Sequence, residues 1–362
     1  MKITGKKNVL GMWTAMKGLL VILVVLVHSA QATGDLLGTQ VYPIPFRALA
    51  KAGAVVLFTF FMINGYLYKP GKTNKKIREQ FLSYLKIYGI TMAVLIVTEI
   101  FRDILLSRPW KEAVILLAAG GIYGAGRSTY LFGYKLTPPY AMWFFVTLMY
   151  ANLLLNLFMK LKNEKIKKAA ILGIPVIYFA LNAVFGHSMV EFLWKLPFFP
   201  SATLLTVPLL YIGYLLKRSN ILFEEIPVKG KLLVLALALI SFFFGQIDME
   251  MGEYRLQLLD YVGAICGSLV FLYLYLLIVN PEWRILDPLM WIGRRSLWLI
   301  PLHCIEGILF SWEEMYSLGN LGFYLSTAVI FVLRWAVLVV FCIVLEKAIS
   351  YAKRWSMIKQ MK

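Results

Sequence analysis

Ten residues without an ionisable side chain separate Lys17 from His28 in a run long enough, with its flanks, to cross a bilayer. Ionisable groups inside such a run are costly to retain, so each is a candidate for function. Over the eleven positions from one to the other a helix turns by about 1100°, roughly 20° net, so both side chains share a face. The axial separation is ~16 Å, about half the hydrocarbon thickness. A neutral imidazole is suited near neutral pH to take the proton of a weak nucleophile such as a hydroxyl. The same ring could instead act as a nucleophile that takes up a group covalently. A cation at one depth and a titratable base at another, on one stripe, suggest a polar path through a helix bundle. Lys17 would steer an anionic substrate at the inner end of that path, or extend its ammonium to the interface.

A second constellation lies near the C-terminal end. His303 sits inside an apolar run with Glu306 three residues on and therefore on the same helix face. Arg334 falls midway through the last apolar run and must face protein or water, paired with a carboxylate such as Glu306. Cys266, Cys304 and Cys342 are isolated within apolar segments, without CxxC or ligand spacing, and read as buried small apolar groups. No phosphate-binding loop, dinucleotide fingerprint, zinc spacing or nucleophile elbow is present.

Composition says what surrounds these groups. Hydrophobic residues make up 60% of the 362, charged residues 15%, and the mean hydropathy is +0.73. Soluble domains are not built this way, whereas polytopic membrane proteins are. The net charge of +18 does not indicate a nucleic-acid partner, because the basic residues gather in short stretches between hydrophobic runs, as the positive-inside rule requires. Apolar runs near 12–32, 48–68, 84–101, 140–159, 169–186, 198–216, 231–247, 257–279, 289–310 and 321–346 predict ten crossings. Of 37 Lys and Arg, 27 lie in the arm up to Lys17, in 69–86, 160–168, 217–231 and 280–295, and in the tail after Glu346. Both termini are therefore expected in the cytoplasm. Segment 102–139 reads as an external loop. Its apolar part, Ala113 to Tyr123, forms a re-entrant or interfacial helix ended by Gly120, Gly121, Gly124 and Gly126. The expectation is an all-α bundle of about ten transmembrane helices in the cell membrane. It is one domain over 1–362, with no appended soluble domain and no cleavable signal peptide.

Six short pieces recur in a meaningful order along the runs. They are Lys17 with His28; Phe60-Phe61-Met62-Ile63-Asn64-Gly65-Tyr66-Leu67; Lys75, Lys76 and Arg78 ahead of Tyr84; Trp143-Phe144-Phe145; Tyr211-Ile212-Gly213-Tyr214-Leu215; and the stretch from Trp291 through Ser296 to His303. Over nearly the whole chain this resembles the integral-membrane acyltransferase family 3, whose members O-acylate sugars, polysaccharides and peptidoglycan. Lys17 stands where that family often has arginine, Asn64 where it usually has serine, and Ser83 where a proline precedes the tyrosine. The resemblance implies a catalytic role for His28 and Lys17, and His303 and Glu306 are expected in the same catalytic set, orienting each other and shaping the outer half of the same cavity. It implies an acyl-donor site at Lys75, Lys76, Arg78 and Tyr84, and cavity or structural roles for Asn64, Trp143, Ser296 and Arg334. No metal or bound cofactor is implied; acetyl-CoA, or another acyl-CoA, is a substrate.

The expected function is therefore transfer of an acyl group, acetyl in the first instance, from a cytoplasmic acyl-CoA to a hydroxyl of a carbohydrate or cell-envelope glycan. Two other classes compete. A transporter of small molecules such as amino acids would be favoured by inverted repeats, and none is discernible. A non-catalytic envelope-assembly scaffold would be favoured by loss of Lys17 and His28, and both are present.

Overall fold

The computed structural model describes residues 6–38, 43–124, 130–131, 134–198, 200–223, 227–250, 252–280, 283–310, 312 and 321–360. The helices are α1 (Lys6–Leu36), α2 (Ile44–Tyr66), α3 (Asn74–Leu105), α4 (Trp110–Tyr123), α5 (Met142–Phe158), α6 (Glu164–Phe185), α7 (His187–Trp194), α8 (Pro200–Ser219), α9 (Val228–Phe244), α10 (Leu258–Ile278), α11 (Leu286–Leu309) and α12 (Gly322–Gln360). Each of the ten apolar runs falls on a helix. Among the described residues six helices are long and apolar enough to cross a membrane, namely α1, α2, α3, α6, α10 and α12. Among the described residues the fold is nearly all-α, with two antiparallel hairpins of two-residue strands, β1 (Tyr130–Leu131) with β2 (Tyr134–Lys135) and β3 (Ile247–Asp248) with β4 (Glu253–Tyr254).

Several boundaries differ from expectation. The basic stretch at 75–78 is not a loop but the opening of α3, where the Thr73 hydroxyl accepts the Lys76 N–H, a side-chain cap that holds the first turn. A helix does form between α3 and α5. It ends at Tyr123 with Gly124 as a left-handed cap at φ 66, the conformation glycine adopts at least cost. Gly120 and Gly121 lie inside that helix rather than ending it, and the Thr137 carbonyl and the Met92 side chain occupy the space their side chains would fill, so both positions serve close packing. Gly126 lies outside the described residues. The tail expected after Glu346 continues α12 to Gln360.

Many apolar side chains on the outer helices are left largely uncovered by protein. Val176, Ile177 and Val184 on α6, Leu233, Phe243 and Phe244 on α9, and Val332, Val340 and Val344 on α12 are all exposed. Bands of this kind suit hydrocarbon, where helices satisfy their own backbone groups. The hydroxyls of Ser29, Thr33, Thr91 and Ser268 likewise bond to carbonyls four residues back in their own helices.

The bundle is organised around α1, which packs on α2, α11 and α12, while α2 packs on α8 and α10. Two crossings depend on missing side chains. A Cβ on Gly293 of α11 would lie 1.8 Å from the Thr14 carbonyl oxygen of α1, and one on Gly18 of α1 would lie 2.0 Å from the Leu289 carbonyl oxygen. Gly65 of α2 and Gly213 of α8 meet the Leu210 and Met62 carbonyls in the same way. With no hydrophobic drive between helices in lipid, such close backbone approach is a main source of association. Three of these glycines lie in the short sequence pieces noted above, so those pieces are helix-crossing signatures as well as chemical ones.

Gly293→Val is expected to separate α1 from α11 and lower the melting temperature in detergent by several degrees, on the scale of the ~1–3 kcal/mol that overpacking costs. Gly89→Ala, at an exposed position of α3 with open space around it, is expected to leave the melting temperature unchanged or higher. Equal melting temperatures for both variants would refute the crossing.

Candidate functional site

The stripe that begins at Lys17 runs up α1 through Val21, Val24, His28 and Gln31, and the last four of these line a cavity of about 330 Å³. Its other walls come from α2 (Gly53, Leu57, Phe60), the start of α5 (Trp143, Phe144), α11 (Leu299, His303) and the β3–β4 turn (Asp248, Glu250). The size falls in the range of small-molecule sites, and the composition, mostly apolar with a few convergent polar groups, is characteristic of them.

His28 and His303 meet edge to face on the cavity wall, their ring centroids 5.1 Å apart and their planes at 76°. His303 Nδ1 lies 3.0 Å from Glu306 Oε2. A carboxylate at that nitrogen fixes the proton there and leaves Nε2 as the acceptor. Glu306 has no exposed surface. Its second oxygen, Oε1, accepts the Trp312 indole N–H and lies 3.5 Å from Arg334 Nε on α12. The Arg334 guanidinium in turn sits 5.6 Å from the centre of the Trp312 ring. A buried charge needs this degree of compensation. Pro301, inside α11, removes one backbone hydrogen bond half a turn before His303. The Thr327 hydroxyl of α12 donates to the Thr33 hydroxyl of α1 at 3.0 Å, two turns from Arg334, and holds α12 against α1.

At the lower end of the stripe the Lys17 ammonium donates to Asn64 Oδ1 at 2.9 Å, and Asn64 Nδ2 donates to the Phe60 carbonyl at 2.8 Å. The same ammonium lies 5.7 Å from the centre of the Phe60 ring. Phe60 also lines the cavity and packs edge-on against Phe144. Lys17 is thus divided from the histidine cavity by one aromatic ring. Trp143 is buried on the cavity wall, and Ser296 is buried in α11 without lining the cavity.

Lys75, Lys76 and Arg78 are exposed in the first turns of α3 and do not line the cavity. No acidic residue lies in that first turn, so helix dipole and basic side chains combine into a site of positive potential. Tyr84 is half-buried against Phe145, ring centroids 5.6 Å apart. Between α2 and α3, Lys72 donates to Gln80 at 2.6 Å and lies 4.7 Å from the centre of the Tyr68 ring. The Tyr68 hydroxyl donates to Asn156 at 2.8 Å. Sequence reasoning missed Lys72 and Tyr68, because topology alone predicts lysines there. It also missed Trp312, an indole donor just beyond the ninth run, and the cavity residues Gln31, Asp248 and Glu250, which no spacing links to His28. Among the described residues no cluster of His, Cys, Asp or Glu is fit to hold a metal ion.

A family model described as an acyltransferase domain matches residues 13–347, which include every residue named in this site. No curated protein and no solved structure matches the chain.

Glu306→Ala is expected to leave Arg334 buried without its carboxylate and to destabilise the protein strongly, by about 3–5 kcal/mol as for other broken buried pairs. Adding Arg334→Met in the same chain is expected to recover much of that loss. Melting temperatures in one detergent decide the matter, and a single variant as stable as the parent would refute the pairing.

Proposed function

The chain belongs to the membrane acyltransferase family 3, and from that premise we propose that it moves an acetyl group from cytoplasmic acetyl-CoA to a hydroxyl of a sugar or cell-envelope glycan. The observation that carries this reading is the line Glu306–His303–His28 at the wall of a cavity large enough for a sugar hydroxyl and an acyl group. The acceptor oxygen attacks the thioester carbonyl while its proton passes to His28. The C–S bond then breaks, and the CoA thiolate leaves and is protonated from the imidazole. A transient positive charge on His28 would lie beside His303, whose Nδ1–H is held by the Glu306 carboxylate that also pairs with Arg334, so the imidazole pair is oriented from behind by a polar cluster in an otherwise apolar setting.

The donor would enter from the side where α3 begins. CoA is rich in phosphate, and the α3 N-terminus with Lys75, Lys76 and Arg78 offers backbone N–H groups and cations together. Lys17, bound to Asn64 and one ring away from the cavity, would place the thioester end. The loop charges favour ten crossings with both termini in the cytoplasm. His28 would then lie in the outer half of the membrane, where an external acceptor reaches it, and the transfer would cross the bilayer through the bundle interior.

Purified protein in detergent, given acetyl-CoA and a panel of glycans, is expected to release free CoA thiol only when an acceptor is present. His28→Ala should abolish release, and Glu306→Gln should reduce it about 10²-fold or more, the scale of general-base and orienting contributions. Lys17→Arg should keep more activity than Lys17→Ala, since the role is one of charge. Solute uptake into sealed vesicles with no thiol release across the panel would replace this reading with a transporter.

A further inference from the structure

Two stripes face one another along the histidine cavity. On α1 the line from Lys17 runs through Val21 and Val24 to His28, and on α2 the line from Asn64 runs through Phe60 and Leu57 to Gly53. Lys17 bonds to Asn64 at one end, while His28 and Gly53 both line the cavity, so the two helices run antiparallel. Each line covers eleven positions, which brings Gly53 level with His28 and onto the face of α2 that carries Asn64. We propose that Gly53 sets which acyl group the protein transfers: its missing side chain leaves a notch opposite His28 that houses the alkyl tail of the donor and admits tails longer than acetyl. The proposal rests on the acyl-transfer reading above.

Nothing in the packing requires glycine at position 53. A Cβ there would meet no atom within 4 Å, and the residue lies inside α2 without a positive φ. Glycine is a poor helix former beside alanine. Gly18, Gly65, Gly213 and Gly293, by contrast, are each pressed against a carbonyl of a neighbouring helix. Gly89 is as open as Gly53 but does not line the cavity. The space at Gly53 is therefore part of the cavity itself.

Contacts on its far side hold α2 back from closing that space. The Ser268 hydroxyl of α10 donates to the Val55 carbonyl at 3.2 Å, and a Cβ on Gly267 would stand 3.0 Å from the Val55 side chain. One turn nearer the start of α2, the Lys51 ammonium donates to the Phe242 and Phe243 carbonyls of α9 at 3.1 and 3.3 Å. Interiors are otherwise close-packed, and unfilled volume costs stability. Space held open beside a titratable group is thus a place for a ligand atom.

The cavity walls divide the two substrates by chemistry. Gln31, Asp248 and Glu250 form a polar wall that suits a hydroxylated acceptor, and Phe60 closes the end towards Lys17. Around Gly53 the α2 wall is apolar, built from Ala50, Ala54 and Leu57, and suits an alkyl tail. In the transfer the acyl carbon bonds to the acceptor oxygen and loses the CoA sulfur, while the acceptor proton passes by way of His28 to the departing thiolate. The tail is carried through unchanged. It stays at the level of His28 from donor to product, where the notch receives it.

The test compares acetyl-, propionyl- and butyryl-CoA as donors to the glycan panel, with thiol release as the readout, for the full chain in detergent and for Gly53→Ala and Gly53→Val. The parent is expected to use all three donors. In Gly53→Val the ratio of kcat/KM for butyryl-CoA to that for acetyl-CoA should fall at least tenfold, the scale of a methylene excluded from an apolar pocket, with Gly53→Ala between. Melting temperatures should be unchanged or higher, because the added side chain enters open space on a helix. A parent that uses acetyl-CoA but neither longer donor would overturn the inference and leave acyl transfer standing. So would a Gly53→Val chain with the parent's ratio, or one whose loss falls equally on all three donors. No thiol release from any donor would remove acyl transfer and this inference together.

Discussion

One buried carboxylate fixes the arrangement of the C-terminal helices around the candidate site. Glu306 has no exposed surface and meets His303 on its own helix, the Trp312 indole and Arg334 on α12. Removing a carboxylate from water is tolerable only with such partners, so α12 must hold Arg334 at this depth and the chain after α11 must return Trp312 to it. His303 is oriented as a consequence. Through His303 the constraint reaches His28 on α1, the helix around which the bundle packs.

The backbone crossings supply the second half of the geometry. The Gly18–Gly293 contact sets how closely α1 approaches α11 and so allows the two imidazoles to stand 5.1 Å apart. The Gly65–Gly213 contact does the same for α2 and α8, next to the Asn64 that accepts from Lys17 on α1. Small residues at crossings and paired charges between helices are thus two aspects of one design. Lipid offers no hydrophobic drive for association, and it penalises unpaired charge.

Much of this was legible in the sequence because membranes impose simple rules. Apolar length and charge spacing placed ten runs on helices, and the 100° period put Lys17 and His28 on the stripe that borders the cavity. The i, i+3 spacing likewise anticipated His303 with Glu306, and charge pairing anticipated Arg334. What was not legible depended on contacts distant in sequence or on loop geometry. Gly120 and Gly121 looked like helix breakers, yet they serve packing against Met92 and Thr137. Lys75, Lys76 and Arg78 looked like a loop but open a helix, because Thr73 can cap it. Asp248 gave no signal, since its place on the cavity wall comes from the β3–β4 hairpin, which no spacing announces.

The central claim is that the imidazole pair serves transfer of an acyl group onto an oxygen, and the product decides it most directly. Acetyl-CoA carrying a deuterated acetyl group would be incubated with the purified chain and a glycan acceptor, and the glycan then analysed by mass spectrometry. The account predicts a glycan heavier by one labelled acetyl group, attached as an ester that mild base removes, and no such product from His28→Ala. Labelled ester formed equally well by the His28→Ala chain, or label that never reaches the glycan, would contradict it.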